Sequence, residues 1–201
     1  MRNSFIISAA NLTSLKDNRL LLSFLSIASG LVFGTVSYIF SSCLIKNELY
    51  KLFVDFSIIF SDKTYLEIFS GFALSGLAYF FLMFIVGGSI FGKLLCSFIT
   101  FIKAVGISLV TTYLYCDYGL KGFEYALLVF FPGKIILLFA MLFMTKTCIE
   151  SSILLTNVSE MNSVKIKNYC LKMIVVFIFL LISWMVDLLY IVVFSGLFSF
   201  S

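Results

Sequence analysis

Residues 68–115 read IFSGFALSGLAYFFLMFIVGGSIFGKLLCSFITFIKAVGISLVTTYLY, 48 residues in which Lys93 and Lys103 are the only charges. As one helix the run would be about 72 Å long, more than twice the ~30 Å of bilayer hydrocarbon. It must therefore fold back on itself. Gly87, Gly88 and Gly92 beside Lys93 mark the place, because glycine frees the backbone and lysine reaches for the headgroups. Two spans follow, at about 68–88 and 94–115, joined by a tight connection.

The same reading extends outward. Leu20 to Phe40 is an uncharged apolar run of spanning length. It is longer than a signal-peptide core and no A-x-A site follows, so an uncleaved anchor is expected. Residues 41–67 form a polar loop whose centre, Leu52 to Phe60, is apolar enough for a short surface helix. Residues 122–155 are again too long for one crossing, at about 51 Å as a helix. Pro132-Gly133 interrupts that run, and proline inside a helix removes a hydrogen bond and crowds the preceding turn. The preferred reading is a short broken or re-entrant helix around 122–131 and a span at about 134–155; the alternative is one kinked span followed by a surface helix. A last span at about 173–195 closes the chain. The expected fold is an all-α, polytopic membrane protein of about five transmembrane helices, with 1–201 as one integral membrane domain.

Composition narrows the chemistry. The chain is 62% apolar and 12% charged, with one proline, whereas soluble domains run at roughly 45–50% and about 25%. So much apolar surface needs lipid as its solvent. The net charge of +4 comes without any dense basic run, so nucleic acid is not an expected partner. Histidine is absent, which removes His-based zinc sites and Ser-His or Cys-His nucleophile pairs. Cys43, Cys96, Cys116, Cys148 and Cys170 are scattered without a CxxC pair and read as small apolar packers. No enzyme activity, cofactor or metal is expected.

Lysine and arginine placement sets the expected orientation. With five spans, Arg2, Lys16, Arg19, Lys93, Lys146, Lys165, Lys167 and Lys172 share one side, against Lys46, Lys51, Lys63 and Lys121 on the other. The N-terminus is then cytoplasmic and the C-terminus outside.

Three charges fall inside or near the spans: Lys103, Lys134 and Asp187. Each is a candidate site by position, since a charge at membrane depth costs at least ~2.5 kcal/mol to insert. Lys103 and Asp187 lie at similar depth and are a candidate ion pair. Lys134 anchors at the outer headgroups if Pro132 marks a turn; in a continuous span it is buried and needs a partner. Lys146 and Glu150, four apart, are a candidate local pair. Gly30-x-x-x-Gly34 and Gly88-x-x-x-Gly92 have the spacing that lets helices approach closely, within the chain first and between copies of a homo-oligomer second. Trp184 lies too deep for an interfacial anchor.

From Phe101 to Asn157 the chain resembles the stage II sporulation protein M family of bacterial membrane proteins. The likeness rests on Phe101-Ile102-Lys103-Ala104-Val105-Gly106 and Tyr118-Gly119-Leu120-Lys121-Gly122-Phe123. It continues through Ala126-Leu127-Leu128, Phe131-Pro132 and the apolar run Ile135 to Phe143. Where the family tends to have a polar pair after the proline, this chain has Gly133-Lys134. The resemblance implies a non-enzymatic scaffold that positions membrane-anchored peptidoglycan hydrolases during endospore engulfment, and it implies that Gly119 and Gly122 close a tight outer connection. The competing expectation is a transport permease or exporter subunit, because interrupted helices often line substrate sites.

Overall fold

A computed structural model describes residues 2–41, 65–156 and 163–194, and it is all-helical. Five α-helices follow in order: α1 (Arg2–Phe40), α2 (Tyr65–Gly87), α3 (Gly92–Tyr125), α4 (Phe131–Thr156) and α5 (Ser163–Phe194). A π-helix over Ala126–Phe130 joins α3 to α4. Helices are what lipid requires, because only they satisfy every backbone N–H and C=O within one segment. The surface helix expected at Leu52 to Phe60 lies outside the described residues.

Among the described residues, four helical runs are long and apolar enough to cross a membrane: Leu20–Phe40, Phe69–Gly87, Gly92–Ile153 and Ile166–Phe194. The third, 62 residues long, would be about 93 Å if straight. It is bent double at Gly119, whose backbone lies at φ 57° and ψ −130°. That is close to the first central position of a type II′ turn, which glycine alone adopts without strain. Beside it, a Cβ on Gly122 would overlap the Leu114 carbonyl. The two limbs then run antiparallel, with Lys93 against Ser152 and Thr100 against Thr145. Counted by limb, the described chain passes through the bundle five times, so the start of the first crossing and the end of the last lie on opposite faces.

The second limb begins at Leu120 and runs without a stop through Pro132 to Thr156. The helix therefore does not break at Pro132-Gly133, and 122–131 is the first part of the fourth crossing rather than a separate re-entrant element. The irregularity sits just upstream, as the π-helix. Proline at 132 has no N–H for the Leu128 carbonyl and its ring crowds that turn. The wider π turn absorbs both problems while the helix continues.

The turn between α2 and α3 falls where the glycines place it, at residues 88–91, with Ser89 N–H donating to the Val86 carbonyl at 2.9 Å and Gly92 N–H to the Ser89 carbonyl at 3.1 Å. Ser152 of α4 closes it: its hydroxyl donates to the Ile90 carbonyl (3.0 Å) and accepts from Lys93 N–H (3.0 Å). One serine thus satisfies polar groups at a helix start that would otherwise be orphaned.

α1 and α3 pack by small residues. A Cβ on Gly30 would come within 2.6 Å of the Phe101 carbonyl, and one on Gly34 within 2.7 Å of the Val105 carbonyl. Ala104 and Ser108 face them from α3, so both helices present small residues four apart and their backbones close together. Thr35 and Ser108 then share a hydrogen bond of 2.7 Å. The Gly30-x-x-x-Gly34 spacing is used within the chain. Gly88 is exposed in the turn and meets only its own preceding carbonyls, while Gly92 packs on Val86 and Ser152. The second spacing therefore straddles a turn and is not one packing face.

The core has two parts. Met83, Met141, Met144, Met173 and Leu180 fill the centre of the bundle, and Tyr38, Tyr113, Leu114 and Tyr125 fill the end near Gly119. Large apolar side chains such as Phe24, Val32, Leu74 and Ile85 stay exposed, which suits a bundle solvated by lipid.

Candidate functional site

Because each step along α3 is one step back along α4, Lys134 stands about level with Thr111. That is some 12 Å beyond Lys103 along the helix axis. α5 runs antiparallel to α4, with Lys172 against Glu150 and Asp187 against Lys134. Asp187 is therefore the partner of Lys134, at 2.7 Å from Nζ to Oδ2 with side chains 12% and 4% exposed. The expected Lys103–Asp187 pair does not form; the two were expected at similar depth, but Asp187 sits level with Lys134, about 12 Å further along the bundle. The local Lys146–Glu150 pair does not form either, since Glu150 receives Lys172 from the facing helix at 2.9 Å.

Pro132-Gly133 supplies the room for this pair. A Cβ on Gly133 would overlap the Asp187 carboxylate, so only glycine allows α5 to lie this close. One turn earlier Ser183 donates to the Gly133 carbonyl at 2.8 Å. The Lys134 ammonium also sits 4.9 Å from the centre of the Phe130 ring, a favourable cation–π distance. Trp184, buried as its depth suggested, packs against Gly76 of α2, where any side chain would collide with the indole.

Beside the pair, α2 and α3 diverge around a cleft of about 620 Å³, within the size range of small-molecule sites. Its walls are apolar, with Leu74, Leu82, Ile102 and Leu137 among them, and Lys103 and Lys134 both reach it. Leu74 and Ile102 are 71% and 49% exposed, so the cleft opens on the side of the bundle, between α2 and α3. Tyr79, which lines it, begins a polar ladder in the bundle interior: Tyr79 Oη and Thr100 Oγ1 are 3.3 Å apart, and Thr100 and Thr145 Oγ1 are 2.7 Å apart. The Lys103 ammonium makes no hydrogen bond or ion pair among the described residues, and Lys134 is its charged neighbour.

The arrangement can hold a negative charge or an apolar group. Among the described residues every buried side-chain nitrogen or oxygen has a hydrogen-bond partner, and no cluster of three His, Cys, Asp or Glu is placed to bind a metal. Sequence reasoning missed Ser183, Gly76, Ser152 and the Thr100–Thr145 pair. Their signal was faint: small or hydroxylated residues in otherwise apolar spans, whose facing partners depend on helix rotation.

No family model, no curated protein and no solved structure matches this chain.

Proposed function

We propose that the chain is a non-enzymatic, multi-pass membrane scaffold that holds other membrane proteins. Its resemblance to the sporulation family over Phe101–Asn157 makes those partners membrane-anchored peptidoglycan hydrolases, positioned at the septal membrane during engulfment. The observation that carries the scaffold reading is the fate of the interior polar groups. Lys134, Asp187, Thr100, Thr145 and Ser183 are bonded to one another or to backbone across helices, so they fasten the bundle together. A sequence without histidine adds no general base of the commonest kind. The bias of lysine and arginine supports an N-terminus in the cytoplasm and a C-terminus outside.

A permease or exporter subunit is the second reading, favoured by the Lys103 cleft beside a π-helix, because π turns often sit at functional sites. Co-purification of the tagged protein in mild detergent from its sporulating host tests both. The scaffold predicts recovery of cell-wall hydrolases without a nucleotide-binding ATPase. Recovery of an ATPase with no hydrolase would overturn it.

A further inference from the structure

We propose that the cleft between α2 and α3 docks a transmembrane helix of another protein, one that carries an Asp or Glu near the bilayer midplane, with Lys103 as its counter-charge. The inference deepens the scaffold reading by naming the kind of segment the scaffold would grip.

Charge is the first argument. Lys134 and Asp187 neutralise each other at 2.7 Å, which leaves the Lys103 ammonium as the uncompensated charge among the described residues lining the cleft. A lone ammonium at membrane depth is costly, and such groups almost always pair.

Depth identifies the partner. Lys103 stands eleven residues beyond Gly92 at the 88–91 turn, about 16 Å along the axis and so near the middle of a ~30 Å hydrocarbon layer. From there a lysine stem does not reach the headgroups. A lipid headgroup would have to be drawn roughly 15 Å into hydrocarbon to meet it. A carboxylate on a spanning helix is at that depth already.

The wall also suits a helix. Gly71, Ser75 and Ala78 of α2 line the cleft with Gly106 of α3, and small residues at such spacing admit a neighbouring backbone. The gap opens sideways in the membrane plane, the direction from which a second helix would arrive.

The probe is a Lys-flanked Leu/Ala transmembrane peptide with one central Asp, compared with versions carrying Leu or Lys at that position. The full-length protein, keeping Cys116 as its sole cysteine for an acceptor dye, is reconstituted in phosphatidylcholine vesicles. Binding is read as energy transfer from donor-labelled peptide. The Asp peptide is expected to bind roughly three- to twentyfold more tightly than the Leu peptide, the range of interhelical polar contacts in lipid. Lys103→Met should abolish the difference, and Lys103→Glu should transfer the preference to the Lys peptide. Size-exclusion profile and helical circular dichroism identify variants that have kept their fold. Equal binding of the Asp and Leu peptides would overturn the proposal, as would a difference that persists in folded Lys103→Met. Loss of the difference on adding phosphatidylglycerol would make a lipid the occupant. A change in the protein's own oligomeric state on Lys103→Met would make a second copy the occupant. Either also overturns the proposal. No hydrolase is needed, so failure here leaves hydrolase recruitment standing, and failed hydrolase recovery leaves this binding intact.

Discussion

Replacing Asp187 with Asn keeps the side-chain shape but leaves Lys134 facing a neutral group. The native pair is 2.7 Å long and its side chains are 12% and 4% exposed, so the remaining ammonium is largely shut away from water. Breaking a buried pair by removing one partner costs about 3–5 kcal/mol. The Phe130 ring, 4.9 Å from the ammonium, offsets part of that, since a cation–π interaction contributes about 1 kcal/mol. The expected loss is therefore about 3 kcal/mol for Asp187→Asn and about 3–5 kcal/mol for Lys134→Met, which removes the cation and with it the Phe130 offset. The double variant Lys134→Met/Asp187→Leu should lose less than either, because removing both charges together is often neutral or stabilising. Reversible SDS unfolding of the reconstituted protein, run as a double-mutant cycle, reads these differences. If both single variants unfold within about 0.5 kcal/mol of wild type, or the double variant loses the sum of the two, the pair does not hold α4 to α5 and the reasoning is wrong.

Two further outcomes follow from the packing. Gly34→Leu forces a side chain against the Val105 carbonyl and Ser108, pushing α1 away from α3. It should destabilise by about 1–3 kcal/mol as overpacking, seen as a lower SDS midpoint. Gly119→Ala meets no atom within 4 Å, so its cost is purely conformational, about 1–3 kcal/mol for a side chain forced into that backbone region. The same unfolding assay checks it, and a midpoint equal to that of wild type would show that the bend does not depend on glycine.

Much of this was legible in the sequence, and the reason is lipid. A helix that must cross about 30 Å of hydrocarbon announces itself by length and by missing charge, so Leu20–Phe40 and the turn at residues 88–91 could be placed by counting. Helix rotation is a different kind of information. Depth alone offered Asp187 a partner in Lys103; only the antiparallel register of α4 and α5 brings Lys134 alongside instead. The same ignorance of the facing helix assigned Glu150 to Lys146 rather than to Lys172. Pro132 misled because its missing N–H looks like a stop in sequence, whereas a single π turn accommodates it and the helix goes on. Gly133 carried the more useful signal: a glycine beside a mid-helix proline marks close approach of another element, here the Asp187 carboxylate.

One 62-residue helical run, Gly92–Ile153, passes through the bundle twice, folded at Gly119, and the placement of every interior charge depends on that fold. It places the turn at residues 88–91 and the bend at Gly119 at opposite ends of the bundle. Cys116, exposed near Gly119, and a Ser89→Cys variant in an otherwise cysteine-free chain provide the two reporters. Treated on intact cells with a membrane-impermeant maleimide, the Cys116 protein should label at once, and the Ser89→Cys protein only after the membrane is permeabilised. Labelling of both thiols from the same side would contradict the fold, and the assignments of Lys103, Lys134 and Asp187 would fall with it.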